Sequence, residues 1–181
     1  ATGTVEVAEV ASGSSRRVRV IPMMHKAQAD IAYGFISVRR ADPDYDAYRL
    51  MNNILGQYAI GGRLGDSIRE RQGMAYYVFS ALEANLIPGP LIIRAGVSPA
   101  DVDRAVASID EQLETLAMDG PTESEMIEST QYLIGSMPRA LETNLGIAAF
   151  LQAEEQLGLG LDYDIRMPGL LRAVTRDAVA S

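Results

Sequence analysis

The sequence predicts an α+β fold, a two-layer α/β sandwich in which an antiparallel or mixed sheet carries helices on one face. Three observations lead there. Strand-like alternation is concentrated in the first hundred residues, with only one full helix between the strands. A hairpin-like pair of apolar runs closes that half. The remaining chain is a succession of capped helical segments.

The N-terminal residues 1–17 read as a segment or linker preceding one domain over 18–181. Within them, Thr4 to Val10 alternates like a frayed edge strand, and Ala11-Ser12-Gly13-Ser14-Ser15 has loop composition. Arg16 to Met23 alternates and is expected to form a strand. Ala29 to Val38 is the stronger one, with apolar residues on both faces, which predicts a central strand. Asp42 is the expected N-cap, and Pro43 the first residue, of a helix running to about Leu55 and closed by Gly56. Gly61-Gly62 opens a second, short helix that Gly73 ends. Ala75 to Asn85 and Leu91 to Val97 form the hairpin, turning at Pro88-Gly89-Pro90.

Ser98-Pro99-Ala100-Asp101 starts a helix whose Val102, Ala105, Val106, Ile109, Leu113 and Leu116 recur at intervals of three and four. Gly120-Pro121 stops it, and Thr122-Glu123-Ser124-Glu125 forms a capping box for the next helix, expected to break at Pro138. A further helix is expected over 142–157, then short helical turns around Pro168. Thr175-Arg176-Asp177-Ala178 has the pattern of a first helical turn just before the last residue, the sign of a domain truncated at its C-terminus. The strand beginning at Ala75 is apolar on both faces, so the sheet face away from the helices is a candidate surface for a partner domain or ligand.

Composition excludes several chemistries. The net charge of -8 disfavours nucleic acid or an anionic membrane as partner, since phosphate binding needs a basic surface. No apolar run reaches the roughly 18–20 residues of a membrane span. With no cysteine, thiol catalysis, disulfides and cysteine-based metal sites are out; this leaves the compartment open, cytoplasmic or periplasmic. The single histidine, His25, cannot build a catalytic zinc site that needs two or three. No glycine pattern followed by lysine marks a phosphate loop. Ser12 and Ser14 sit in a loop rather than a strand-to-helix elbow. The paired carboxylates Asp42/Asp44, Glu111/Glu114 and Glu154/Glu155 read as solvated helix faces.

The densest cluster of chemistry is the stretch from Gly61 to Ser80. Arg69 ends the short helix and Tyr76 follows the glycine stop. Arginine offers a permanent charge and a planar set of donors for a peptide carbonyl or carboxylate. A tyrosine hydroxyl can donate to a carbonyl oxygen as charge develops on it. The structural alternative has Arg69 paired with Asp66 at i, i+3 and Tyr76 filling the sheet.

The run from Gly61 to Tyr76, through Arg63-Leu64 and Ile68-Arg69-Glu70-Arg71-Gln72-Gly73-Met74-Ala75-Tyr76, resembles the C-terminal, non-zinc-binding half of M16 family metallopeptidases, the pitrilysin and processing-peptidase group. Gly65 after Leu64, and Met74 in place of leucine, depart mildly from that pattern. Gly135-Ser136-Met137-Pro138 with Leu141-Glu142-Thr143-Asn144, and Gly158-Leu159-Gly160-Leu161-Asp162-Tyr163, are similar to two later segments, the second in its bacterial form. The resemblance implies the two-layer fold of LuxS/M16-type metallohydrolases. It implies a non-catalytic half that positions peptide substrate for a zinc-bearing partner half carrying His-x-x-Glu-His, in the same polypeptide or a separate subunit. By motif position the substrate-binding residues are Arg69 and Tyr76, with no catalytic residue and no metal ligand in this chain; Arg63 takes a structural position. The other roles open to such a chain are a scaffold subunit without peptidase function and a stand-alone peptide-binding module.

Overall fold

The computed structural model describes residues 15–57 and 62–180. Three antiparallel strands, β1 (Ala29–Ile36), β2 (Ala75–Leu82) and β3 (Pro90–Val97), form one sheet in the order β1-β3-β2. The helices are α1 (Tyr45–Asn52), α2 (Val102–Asp119), α3 (Glu123–Ala140), α4 (Asn144–Leu157), α5 (Tyr163–Ala173) and α6 (Arg176–Ala180). Wide, π-type helical turns at Asn53–Gln57 and Gly65–Arg71 lie between α1 and β2. The α+β class expected from the sequence is the class found.

Among the described strands β3 is central and β1 is not. Its side chains alternate strictly: Leu91, Ile93, Ala95 and Val97 are buried beneath the helices, while Arg94 between them is exposed. Burial of a residue such as Ile93 stabilises the fold by roughly 1.5–3 kcal/mol. Among the described strands β1 lies at an edge, paired with β3 alone, and its outward residues Ala32, Gly34 and Ile36 are exposed. The residues that made it look two-sided are mostly small ones that solvent tolerates.

The expected strand at Arg16 to Met23 does not form. Alternation gives a strand only where one face has something to be buried against, and among the described residues this segment has little; Val20 is 81% exposed. Its one anchor is Arg16, whose Nη1 lies 2.9 Å from Asp110 Oδ2 on α2, with the guanidinium over the Tyr33 ring. The predicted edge strand at Thr4 to Val10 falls outside the described residues, as do Ser12 and Ser14.

The helices follow their start signals closely. Asp42 does not cap α1 directly: its Oδ1 accepts from the Asp44 N–H in a turn that precedes the helix by two residues. The capping box at α3 is complete, with Thr122 Oγ1 accepting from Glu125 N–H and the Glu125 carboxylate accepting from Thr122 N–H. α4 begins at Asn144, where the Thr143 hydroxyl accepts from Gly146 N–H. α3 does not break at Pro138, and α5 runs as one helix through Pro168. Proline forfeits one backbone bond but its fixed φ suits a helix. In α5, Met167 and Leu171 are packed in the core on either side of Pro168 and hold it in line.

The α4–α5 unit returns to α1 through a polar seam. The Arg40 guanidinium lies 3.8 Å from the Tyr45 ring centre and 4.7 Å from that of Tyr163. Glu154, read from the sequence as a solvated carboxylate, is only 1% exposed, and neither of its oxygens has a hydrogen-bond partner among the described residues. Burial and the nearby Asp164 and Asp162 raise its pKa, against the pull of Arg166 and Arg40.

Arg63 binds the start of the short helical segment to the start of α3. Its Nε and Nη2 donate to the two oxygens of Glu125 at 2.6 and 2.9 Å, and Nη2 also donates to the Gly120 carbonyl. Burial opposes the Glu125 charge, but Arg63 and the Thr122 backbone and hydroxyl outweigh it and lower its pKa to about 2. A carboxylate depressed on folding contributes stability above its unfolded pKa and loses it as pH falls toward the folded value. Glu125→Gln is therefore expected to destabilise the domain by about 1 kcal/mol at pH 7, a figure reduced for partial solvent screening. In thermal unfolding as a function of pH, the gap between wild type and variant should close between about pH 4.5 and pH 2. A gap that persists at pH 2 would show that charge pairing is not the source of the loss.

Candidate functional site

The sheet face opposite the helices is uncovered among the described residues, and its composition follows from register. Three rows cross it: Asp30–Gly96–Tyr77, Ala32–Arg94–Phe79 and Gly34–Ile92–Ala81. At one end, β2 takes an extra residue. Ala75 pairs with Val97 and Tyr77 with the adjacent Gly96, so Tyr76 is the unpaired residue of a β-bulge. A bulge places two consecutive side chains out of normal alternation. Ala75 is thereby buried, Tyr76 is 64% exposed, and Val78 and Ser80 point into the core.

Simple alternation along β2 would instead place Tyr76, Val78 and Leu82 on one face and Tyr77 and Phe79 on the other. The bulge shifts the phase by one residue after Tyr76. Tyr76 does not fill the sheet.

Arg69 lies in the last turn of Gly65–Arg71. The segment ends in a tight closure: Gly73 N–H donates to the Arg69 carbonyl and Met74 N–H to that of Ile68, both at 3.0 Å. Gly73 has φ 64°, a conformation that only glycine adopts without strain. The turn feeds straight into β2, which ties the Arg69 backbone to the bulge that follows. The Arg69 side chain is 43% exposed, with Nε 3.8 Å from the neighbouring Glu70 Oε1. The i, i+3 partner considered for it is taken: Asp66 pairs with Arg71 at 2.9 Å. Arg63, by contrast, has a side chain only 13% exposed, fully committed to Glu125 and Gly120.

Beside the bulge a second arrangement appears that sequence reasoning did not single out. Tyr77 Oη donates to Asp30 Oδ1 at 2.7 Å, spanning the central strand, and Gln28 Nε2 donates to the same oxygen at 2.7 Å. The Tyr77 and Gln28 donors together hold the Asp30 pKa below the usual carboxylate range. The Tyr77 ring packs against Gly96. A methyl group there would come within 2.6 Å of Gln28 Nε2 and closer still to the Tyr77 ring. Asp30, the lone charge of β1, and Gly96 in β3 were the available sequence signals.

His25 lies in an exposed turn with φ 62° and has no hydrogen-bond or ion-pair partner among the described residues. No group of three His, Cys, Asp or Glu side chains among the described residues is placed to hold a metal ion. Likewise no described helix is long and apolar enough to cross a membrane.

A family model for the peptidase M16 inactive domain matches residues 5–132. The chain belongs to that family. This M16 domain is 24% identical over 128 residues to YmfF of Bacillus subtilis, named a probable inactive metalloprotease, covering 70% of this chain and 29% of that protein. It is 30% identical over 116 residues to YmxG of the same organism, named an uncharacterized zinc protease, covering 64% of this chain and 28% of that one. Its fold matches the crystal structure of a peptidase M16 inactive domain from Pseudomonas fluorescens with TM-score 0.78 and 26% identity, over 86% of this chain and 37% of the other. The chain thus spans less than a third of the length of the curated relatives it matches.

The contact of Tyr77 with Gly96 gives a direct test of how the bulge region is held. Gly96→Ala should force Tyr77 off β3, break its bond to Asp30 and cost about 1–3 kcal/mol of stability in denaturant unfolding, the usual range for overpacking. In a Tyr77→Ala background the same substitution should cost markedly less, because the side chain it collides with is gone. Equal costs in both backgrounds would mean that the ring does not set the packing.

Proposed function

We infer that this M16 domain is the non-catalytic, substrate-positioning half of a zinc-dependent peptidase. The observation that carries the reading is the bulge: it lifts Tyr76 out of the sheet on the uncovered face, just past a helix end whose Arg69 is free of Asp66. The Arg69 guanidinium is suited to donate to a substrate carbonyl or carboxylate without changing protonation state. Tyr76 Oη is suited to donate to a scissile carbonyl oxygen as it gains negative charge, where a rigidly held donor contributes most. Placement on a strand and a capped helix end limits the reorganisation needed when a peptide arrives.

Zinc chemistry does not belong to this chain. One histidine, no cysteine and no grouped donors among the described residues do not fit a catalytic zinc. The metal and the hydrolytic step are assigned to a partner half with the His-x-x-Glu-His motif, fused to this one or separate from it. The chain covers 28% of YmxG, a relative named an uncharacterized zinc protease, which leaves room in such a protein for a separate zinc-bearing part.

The chain alone should then bind no stoichiometric zinc by metal analysis and hydrolyse no peptide; finding both zinc and peptidase activity in it would overturn the reading. Arg69→Ala and Tyr76→Phe, each introduced into the assembly with the zinc-bearing half, should lower kcat/KM by roughly tenfold or more while leaving the melting temperature unchanged. Turnover at the wild-type level in both variants would instead make the domain a scaffold.

A further inference from the structure

The middle row of the uncovered face holds a charge that the positioning role leaves unused. Arg94 is the only outward-facing charged residue of β3, an otherwise apolar strand. It is exposed, and it makes no hydrogen bond or ion pair with any described residue. The nearest acid on the face in register terms, Asp30 one row away, is already engaged by Tyr77 and Gln28. Arg94 stands close enough to Tyr77 to favour ionisation of its hydroxyl, although the Asp30 bond and burial dominate and keep that hydroxyl protonated.

The surroundings of Arg94 are asymmetric. On the β1 side lie Ala32 opposite and Gly34 in the next row, both exposed and too small to cover the guanidinium. On the β2 side stand Phe79 opposite and Tyr77 diagonal to it, their rings 6.0 Å apart. The result is a shallow trough with a low wall, an aromatic wall and one permanent positive charge at its floor. A chain of net charge -8 leaves this charge without an ion-pair partner among the described residues, on a surface that is apolar and aromatic apart from the engaged Asp30. An unpaired guanidinium on such a surface is matched by a carboxylate, which it binds through two parallel donors. In an extended peptide alternate side chains face one way at about the spacing of successive rows of a sheet, which lets one carboxylate reach Arg94 while its neighbours meet the aromatic wall.

Building on the positioning role inferred above, we propose that Arg94 is a specificity-determining residue that selects peptides carrying a glutamate or aspartate side chain near the bond to be cut. The rows set the geometry: Tyr76, on the bulge beside the first row, addresses the peptide backbone, and Arg94, one row further along, reads a side chain.

The test uses the full assembly with its zinc-bearing half and blocked fluorogenic peptides, acetylated and amidated. Glutamate is moved through the positions flanking the cleaved bond, with glutamine at the same position as the comparison. The expected result is one position at which glutamate raises kcat/KM about tenfold over glutamine, the size of a charge-assisted hydrogen bond discounted for solvent. That ratio should fall toward one in Arg94→Gln and with rising salt, and Arg94→Glu should favour lysine there instead. A glutamate preference that survives in Arg94→Gln, or no preference at any position, overturns the proposal. A preference seen only for peptides with a free C-terminal carboxylate overturns the side-chain assignment. The two levels separate cleanly: impaired Arg69→Ala and Tyr76→Phe with an unchanged glutamate-to-glutamine ratio in Arg94→Gln removes only the role of Arg94, whereas wild-type turnover in the first two removes the positioning role itself.

Discussion

Every hydrogen bond between strands of the described sheet has β3 as one partner. That single strand supplies the floor of the core through Leu91, Ile93, Ala95 and Val97, and the midline of the uncovered face through Ile92, Arg94 and Gly96. Two-residue periodicity makes these demands inseparable: a slip of one position in β3 would send Arg94 into the core and Ile93 into solvent. The strict alternation of apolar and tolerated residues in this strand therefore fixes both the packing of the helices and the chemistry that the domain displays.

The bulge in β2 is the local exception that this frame makes visible. Against a regular partner, one added residue on β2 reverses which of the later side chains face solvent, while the pairing with β3 resumes directly after it. The Tyr77–Asp30 bond clasps the sheet across Gly96 next to that irregularity. The closure at Gly73 fixes it from the other side, since Met74, held by the Ile68 carbonyl, leads directly into the strand. An irregular residue kept between two fixed points is a means of presenting a side chain accurately, and it accounts for a tyrosine at a position where burial alone would select something else.

Much of this was legible in the sequence because its signals are local. The capping box at Thr122, the proline-led start at Pro99 and the glycine stop at Gly73 each act within a few residues, and each was found where the pattern placed it. Arg69 and Tyr76 were visible as a cluster and acquired roles through the family resemblance, not through periodicity. What was not legible depends on partners distant in sequence. The central place of β3, the edge place of β1, the bulge, the clasp over Gly96 and the burial of Glu154 all require knowing which segment lies beside which. The segment from Arg16 to Met23 makes the converse point: its alternation is real, yet with little among the described residues to cover it no strand results.

The strand order also constrains how the chain reaches this state. Leu82 and Leu91 meet across the short loop 83–89, whereas Ala29 must find Val97 after α1, both wide turns and the whole hairpin lie between them. Closing a longer loop costs more entropy and is slower, so loop length favours pairing of β2 with β3 before β1 is added. During synthesis β1 emerges well before β3, its partner among the described strands. The outward face that leaves room beside Arg94 thus belongs to the strand that waits longest to be paired.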